Sequence, residues 1–317
     1  MKTMEQLLLN GPYLTDGGME TTFIFHDGIE LNHFASFELL LDSEGRWRLR
    51  EYFRQYLDLA VEYQCNFILE TPTWRTNPDW CYKLGYSVEE LRKINFDAVQ
   101  FLKEVKSEYE SRPGHILISG CIGPRGDGYQ PEKIMSASEA AKYHTTQIEA
   151  LTDAGVDLVS AYTLNYSEEA MGIAQVAKRL QIPVVISFTL ETDGQLPNRE
   201  TLRDAIEKVD EYTDLYVSYY MINCAHPEHF KKVLKSEGKW KSRIAAIRAN
   251  ASTKSHAELD ASETLDTGDC NHLAEGYSEL KQLLPGLRVV GGCCGTDLSH
   301  IKAIADKLFE NKKILQP

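Results

Sequence analysis

Short apolar runs alternate with amphipathic segments along most of the chain. Several of the runs are almost continuously apolar, which is typical of parallel strands that are covered on both faces. Between the runs, apolar residues recur three and four positions apart, as in residues 49–61 and 91–105, and this spacing predicts helices. The predicted strands lie, in chain order, at residues 13–15, 67–71, 116–121, 158–164, 184–190, 215–223, 243–248 and 288–290.

The regular alternation of strand and helix favours a parallel sheet. Ser136 and Glu139 form a capping-box pattern at the start of one further helix. Other helices are predicted at residues 167–180, 200–209, 227–234 and 298–309. Eight units in 317 residues fit a closed (β/α)8 TIM barrel, an α/β fold with one domain over residues 1–317. A doubly wound open sheet is the alternative, but no G-x-G-x-x-G pattern follows the first predicted strand.

Residues 251–279 form the longest segment without apolar periodicity. Ser, Thr, Asp and Gly are frequent in this segment, which predicts a surface loop with at most one short helix. Because long loops of this kind often cover a binding site, we treat the segment as a candidate lid.

Composition and charge narrow the class of protein. Asp and Glu outnumber Lys and Arg by 47 to 34, and the resulting formal charge of −13 disfavours nucleic acid and anionic membranes as partners. No apolar stretch approaches the roughly 20 residues that span a bilayer, and Leu7 to Leu9 are too few for a secretory signal. Seven cysteines, an odd number, fit reduced thiols better than a disulfide framework, so we expect a cytoplasmic protein.

Three cysteines that follow predicted strands indicate a metal site. Cys293 and Cys294 come after the last predicted strand, within Gly-Gly-Cys-Cys-Gly-Thr, and Cys224 follows the sixth. Three thiols can hold one Zn²⁺ and leave its fourth position open, which is the layout of a catalytic zinc site. A substrate thiol at that position would be deprotonated and nucleophilic. A disulfide between Cys293 and Cys294 is the alternative, but adjacent cysteines form a strained ring.

Polar residues also follow other predicted strands, at the end of the barrel where functional groups collect. Asp16 follows the first strand, Glu70 lies at the end of the second, and Asn223 ends the sixth. Asn250 follows the seventh strand. We therefore expect these side chains to meet the three cysteines at one site.

These elements resemble, in order and spacing, the zinc-dependent homocysteine S-methyltransferase family, as a member with a single barrel. The matching elements are Asp16-Gly17-Gly18, Gly123-Pro124, Ile222-Asn223-Cys224, Asn250, and Gly291 to Thr296 with His300-Ile301. The Gly-Gly-Cys-Cys-Gly-Thr element paired with an upstream Asn-Cys is specific, and the likeness covers essentially the whole chain.

The resemblance implies a (β/α)8 barrel, Zn²⁺ as cofactor and methyl transfer to the sulfur of homocysteine, which gives methionine. By this likeness the zinc ligands are Cys224, Cys293 and Cys294. It also implies that Asp16 lies beside the substrate. Asn223 and Asn250 are then expected to flank the site and to bind the ligand thiolates or the substrate carboxylate.

Two residues depart from the family pattern. Members specific for homocysteine usually carry, after the fourth strand, a Glu that holds the substrate ammonium, and this chain has Tyr162 there. Tyrosine carries no charge at neutral pH. Glu70, at the end of the second predicted strand, is a carboxylate that could replace the missing one. We therefore expect Tyr162 and Glu70 to bind substrate, with either rewired homocysteine binding or a changed acceptor.

The resemblance also limits the methyl donor. Relatives that use folate and cobalamin carry additional domains, so a small onium donor is implied here. S-methylmethionine, S-adenosylmethionine and a betaine are such donors, and S-methylmethionine is favoured. No glycine-rich nucleotide-binding turn supports a tightly held adenosyl group. Trp74, Trp80 and Tyr162 offer aromatic faces for such a cation.

Two other classes of function stay open. One is a zinc-dependent lyase or hydrolase of another small thiol or onium compound, with Glu70 or Asp16 as general base. The other is a non-catalytic barrel that binds zinc or a thiol. The expected partners are small molecules, a thiol acceptor and a methyl donor; the oligomeric state is not predicted.

The remaining cysteines and three histidines are interpreted as structural. Four cysteines are expected to be buried: Cys65, Cys81, Cys121 and Cys270. Of these, Cys121 could line the pocket, because it lies at the end of the third predicted strand. His226 and His229 are expected at the surface where a helix begins, with support of a metal ligand by His226 as the alternative. His300 is expected to pack in the last helix.

Overall fold

The computed structural model describes residues 11–112, 114–131 and 133–309. These residues contain eight parallel strands that pair in chain order and close into a barrel, with β1 bonded to both β2 and β8. The strands are β1 Tyr13–Leu14, β2 Asn66–Glu70, β3 Ile116–Ile122, β4 Leu158–Leu164, β5 Val184–Phe188, β6 Tyr219–Asn223, β7 Ile244–Ala249 and β8 Val289–Gly292. The predicted (β/α)8 barrel is confirmed.

Helices surround the barrel. Within the described ranges they are α1 Ser43–Glu62, α2 Pro78–Lys83, α3 Val88–Ser107, α4 Ala137–Ala154, α5 Ser167–Leu180, α6 Leu202–Thr213, α7 Pro227–Leu234, α8 His256–Asp260, α9 Cys270–Leu283 and α10 Leu298–Phe309. Shorter helical turns occur at Met19–Thr21, Thr22–His26, Asn32–Phe34, Ser36–Leu41 and Lys239–Arg243. The predicted capping box at α4 is present, since Ser136 and Glu139 each accept from the other's backbone N–H.

The side chains of the strands divide between two apolar layers. In β6, Tyr219 and Met221 belong to a cluster inside the barrel, whereas Tyr220 and Ile222 pack in the larger layer between strands and helices. Tyr162 of β4 belongs to the inner cluster and lies near the carboxyl end of its strand. The interior is therefore packed along the barrel, and a site can form only at its end.

Two boundaries differ from the sequence prediction. The sixth strand begins at Tyr219 rather than at residue 215, because Asp214 and Leu215 both have positive φ and turn the chain after α6. The interpretation of residues 251–279 as a loop is wrong from Cys270 onward, where α9 begins. Asp269 caps this helix by accepting from the backbone N–H of His272.

Parts of two predictions lie outside the described residues. The domain range 1–317 includes ten residues at one end and eight at the other that are not described, so its outer bounds stay a prediction. Leu7 to Leu9, which bear on the absence of a secretory signal, are also outside. Among the described residues, no helix is both long enough and apolar enough to cross a membrane.

Candidate active site at the carboxyl end of the barrel

A cavity of about 560 Å³ opens at the carboxyl end of the barrel. Its wall is formed by residues that follow most of the strands and by residues 250–266. The structure places all eight predicted site residues in this wall: Asp16, Glu70, Tyr162, Asn223, Cys224, Asn250, Cys293 and Cys294. Side chains from distant parts of the sequence are thus brought to one place.

Cys224, Cys293 and Cys294, which we name the cysteine cluster, lie at the ends of two strands. Their three sulfur atoms are within 4.8 Å of one another. Cys224 and Cys293 are paired as a disulfide and Cys294 is a free thiol, so the alternative pairing of the two adjacent cysteines is not the one present. Three soft donors this close fit one Zn²⁺ once the cysteines are reduced.

The backbone around Cys293 requires glycine. A Cβ at Gly291 would overlap Thr15 Oγ1, and a Cβ at Gly292 would overlap Thr296 Oγ1. Gly295 has a φ of +77°, which side chains rarely adopt. The Gly-Gly-Cys-Cys-Gly sequence therefore lets β8 approach β1 closely and then turns both thiols toward the cavity.

Two side chains make hydrogen bonds to sulfur atoms of the cluster. Asn223 Nδ2 donates to Cys293 Sγ at 3.9 Å, and its Oδ1 accepts from the backbone N–H of Thr163 at 2.9 Å. Tyr129 Oη lies 3.9 Å from Cys294 Sγ, and its ring stacks on His256 with centroids 4.0 Å apart. Sequence analysis missed Tyr129, because this residue lies further along the loop between β3 and α4 than the Gly123-Pro124 motif that follows the strand.

Arg248 lies near the carboxyl end of β7, in the cavity wall, and is a second site residue that sequence analysis missed. Its Nη2 lies 2.8 Å from Asp16 Oδ1, and Tyr52 Oη donates to Asp16 Oδ2 at 2.9 Å. Burial alone would lower the pKa of Arg248, but the nearby Asp16 carboxylate holds it well above its usual value. A single charged residue in the otherwise apolar strand Ile-Ala-Ala-Ile-Arg-Ala was the available signal.

Glu70 and Tyr162 form a buried pair beside Arg248. Tyr162 Oη donates to Glu70 Oε1 at 2.7 Å and accepts from Arg248 Nη1 at 3.4 Å. Burial raises the pKa of Glu70 to about 7, although Arg248 opposes the shift. Burial, with Glu70 nearby, also raises the pKa of Tyr162 well above its usual value, so Tyr162 acts as a neutral donor. We name Asp16, Tyr52, Glu70, Tyr162 and Arg248 the polar floor.

Comparisons with known proteins decide the family. The model of the homocysteine S-methyltransferase family matches residues 13–308. The chain belongs to this family. It is therefore an S-methyltransferase of the homocysteine S-methyltransferase type, and the resemblance derived from the cysteine motifs is confirmed.

Individual relatives are distant but match over nearly their whole length. Homocysteine S-methyltransferase 1 of Arabidopsis thaliana is 21% identical, over 94% of each chain. Homocysteine S-methyltransferase YbgG of Bacillus subtilis is 24% identical, over 96% of this chain and 97% of its own. The crystal structure of the homocysteine methyltransferase MmuM from Escherichia coli in its metallated form has a TM-score of 0.72 at 22% identity, covering 94% of this chain and 97% of that one. That likeness supports the fold.

Two tryptophan rings that were expected to bind the donor already contact basic side chains of this methyltransferase. The Arg75 guanidinium lies between the rings of Trp74 and Trp80, 3.9 and 4.0 Å from their centroids. Lys83 Nζ lies 4.1 Å from the Trp80 centroid as well. Trp80 is absent from the cavity wall, unlike Trp74 and Tyr162, so its expected role as a face for the donor is wrong.

The other cysteines follow the expectation with one exception. Cys65, Cys81 and Cys121 are buried, and Cys121 lines the cavity. Burial raises the pKa of the Cys121 thiol well above its usual value, with a smaller contribution from Glu70, so the thiol stays protonated. Cys270 is only partly buried because it is the first residue of α9, and the prediction that it is buried is wrong.

The histidines also differ in part from the prediction. His226 is 1% exposed, so the prediction of a surface residue is wrong; as N-cap of α7 it accepts from the backbone N–H of Glu228. Its ring packs 5.3 Å from His272, and burial lowers its pKa to about 4. His300 is buried in α10, and its Nε2 lies 2.8 Å from the carbonyl oxygen of Thr267, as expected for a packing residue.

The candidate lid contributes a large part of the cavity wall. Seven residues between positions 256 and 266 line the cavity: His256, Leu259, Asp260, Ser262, Thr264, Leu265 and Asp266. The stack of His256 on Tyr129 joins this segment to the loop that follows β3. The segment therefore covers one side of the site, and its movement stays a prediction.

Proposed function

We propose that this enzyme transfers a methyl group from a small onium compound to the sulfur of homocysteine, with Zn²⁺ as cofactor. The observation that carries the proposal is the cysteine cluster, in which three sulfur atoms lie within 4.8 Å of one another in the cavity wall. The family relationship supports the reaction type, and the donor set supports the ion.

Cys224, Cys293 and Cys294 would hold the zinc, which supplies a means of keeping the acceptor thiol deprotonated at neutral pH. Asn223 and Tyr129 fix the orientation of two of these cysteines by hydrogen bonds to their sulfur atoms. In the reaction, a bond forms between the methyl carbon and the acceptor sulfur while the carbon–sulfur bond of the donor breaks. A neutral thioether leaves, and the proton of the acceptor thiol is released.

Glu70 is our candidate partner for the ammonium group of homocysteine. Its Oε2 is buried and has no hydrogen-bond partner among the described residues, while Oε1 already accepts from Tyr162. A buried carboxylate oxygen without a donor is costly, and an ammonium group would satisfy it. Asn250 Oδ1 is a second buried acceptor without a partner in the described part of the chain. Asp16 is held by Arg248 and Tyr52 and orients Arg248.

The charge of the cavity supports a cationic donor. Among the described residues, six carboxyl groups and two arginines line the wall. The carboxyl groups belong to Asp16, Glu20, Glu70, Asp127, Asp260 and Asp266. An excess of acidic groups attracts cations into a cleft, so we propose S-methylmethionine as the donor. Transfer to homocysteine then yields methionine, and we propose a role in methionine biosynthesis in the cytoplasm.

The test is methyl transfer by reduced, zinc-loaded enzyme, with S-methylmethionine, S-adenosylmethionine and betaine as donors and homocysteine as acceptor. Serine replacements of Cys224, Cys293 and Cys294 should abolish zinc binding and turnover, whereas Cys270→Ser outside the cavity should keep both. Consumption of the donor without any thiol would contradict transfer and favour a lyase or hydrolase. Stable zinc binding with no turnover of any donor would favour a binding protein.

A further inference from the structure

Arg248 is fixed on one side of its guanidinium group. Nε donates to the carbonyl oxygen of Gly292 at 2.9 Å, and Nη2 donates to that of Gly17 at 3.1 Å in addition to its contact with Asp16. These bonds join β7 to its neighbour β8 and to the residues after β1. The Arg248 side chain is therefore held rigidly in the cavity wall.

The second terminal nitrogen of the Arg248 guanidinium, Nη1, makes fewer hydrogen bonds than its N–H groups allow. Arg248 Nη1 carries two N–H groups, and its only hydrogen bond within the described residues is to Tyr162 Oη at the long distance of 3.4 Å. At least one N–H thus has no partner among the residues that the structure describes, although the side chain is only 9% exposed. A buried charged donor in this state is costly unless a ligand accepts from it.

Glu70, which lies beside Arg248, has an acceptor oxygen that lacks a donor. Its Oε2 is an acceptor without a partner among the described residues, and the hydroxyl of Tyr162 connects its other oxygen to Arg248 Nη1. A free donor and a free acceptor are therefore held on either side of one bridging oxygen atom. The carboxylate and ammonium of an α-amino acid, which share one carbon, match this pair in charge, and a single tyrosine hydroxyl contacts both residues of the pair.

The position of Arg248 relative to the cysteine cluster fits a substrate that reaches both. In the barrel, Arg248 pairs with Asn223 of β6 on one side and with Gly291 of β8 on the other. Cys224 follows Asn223 directly, and its backbone N–H donates to the carbonyl oxygen of Arg248 at 3.1 Å. Arg248 thus lies level with the residue that precedes Cys224, beside the cysteine cluster.

We propose that Arg248 determines acceptor specificity by binding the carboxylate of an α-amino acid thiol, while Glu70 binds its ammonium group. This inference rests on the proposed function, because it names the head group of the thiol acceptor. Asp16 neutralises the charge of Arg248 and orients it, so the carboxylate accepts a hydrogen bond from an arginine that is already held. Tyr162 keeps the two halves of the head-group site apart.

The experiment compares four thiols that differ only in their head groups. They are homocysteine, 4-mercaptobutanoate without the amino group, 3-aminopropane-1-thiol without the carboxylate, and propane-1-thiol without either. Affinity is measured by calorimetric titration of the reduced, zinc-loaded enzyme, and kcat/KM for methylation is measured in parallel. For the unmodified enzyme we expect homocysteine to exceed 3-aminopropane-1-thiol by about 10- to 100-fold in affinity, since a charge-assisted hydrogen bond is lost.

Variants assign this preference to a residue. Arg248→Gln should reduce the preference for homocysteine over 3-aminopropane-1-thiol about 10- to 100-fold, and Arg248→Lys should restore part of it. Glu70→Gln should instead reduce the preference over 4-mercaptobutanoate. Arg75→Gln is the matched control, because Arg75 is another buried arginine of the cavity wall and should leave both ratios as they are.

The outcomes separate this inference from the proposed function. If the unmodified enzyme binds homocysteine and 3-aminopropane-1-thiol equally, no carboxylate site exists and the inference is overturned, even if every Arg248 variant unfolds. An Arg248→Gln enzyme that weakens all four thiols by the same factor would also overturn it, since that pattern means a structural role. Failure to bind zinc or to methylate any thiol would instead contradict the proposed function.

Discussion

The cysteine cluster and the polar floor lie in the same cavity but are built differently. The cluster joins two adjacent residues to a third, and its three sulfur atoms lie within 4.8 Å of one another. The polar floor draws on residues from β2, β4, β7, α1 and the chain after β1, and its charges are largely paired within the protein. We infer that the cluster determines the reaction, while the floor determines the acceptor and contributes to stability.

Removal of the proposed Zn²⁺ should have the largest effect and should act on the cluster alone. Treating the reduced enzyme with a chelator is expected to lower methyl transfer at least about 10³-fold, because several kcal/mol of charge stabilisation are lost. Addition of Zn²⁺ should restore the activity. The measurement is turnover with parallel metal analysis, and full activity of metal-free enzyme would remove the distinction between the two regions.

Asp16→Asn should act mainly on stability through the floor. The change leaves the buried Arg248 charge without its carboxylate partner, so the free energy of unfolding is expected to fall by about 3–5 kcal/mol in urea. The matched control is Asp193→Asn, which breaks an exposed ion pair with Arg199 and should cost less than about 1 kcal/mol. If both variants lose the same free energy of unfolding, burial does not make the Asp16–Arg248 pair more important for stability than an exposed pair.

Acceptor preference should depend on pH through Glu70. Its raised pKa of about 7 means that the carboxyl is mostly protonated at about pH 6 and mostly ionised at about pH 8. Since only the ionised form attracts an ammonium group, the preference for homocysteine over 4-mercaptobutanoate should rise about tenfold across this range. The ratio of kcat/KM values tests this, and Glu70→Gln should make the ratio independent of pH.

Tyr129→Phe should have the smallest effect and should act on the cluster. The variant keeps the ring that stacks on His256 and removes the hydroxyl that lies 3.9 Å from Cys294 Sγ. Loss of one hydrogen bond of about 1 kcal/mol should weaken zinc binding severalfold, as measured by competition with a chelating dye. Unchanged zinc affinity would show that the hydroxyl does not support the cluster.

Some features of the fold could be read from local pattern, and others could not. Eight predicted strands correspond to eight observed ones because each is an apolar run between turns, a signal contained in a few consecutive residues. The start of α9 was missed because polar residues surround the buried Leu273 and Tyr277 and hide their spacing. The burial of His226 was missed because it depends on the packing of α7 against α9.

The sequence by itself determined the barrel, the family and the three cysteines, because alternating strand and helix patterns and the paired cysteine motifs are local properties of the chain. Only the tertiary structure decided that Arg248 lies between the strands that carry those cysteines and shares one tyrosine hydroxyl with Glu70. Residues as far apart in the sequence as Asp16 and Arg248 become neighbours only when the barrel closes. Their charges and unpaired hydrogen-bonding groups can act on one ligand only when the fold has made them neighbours.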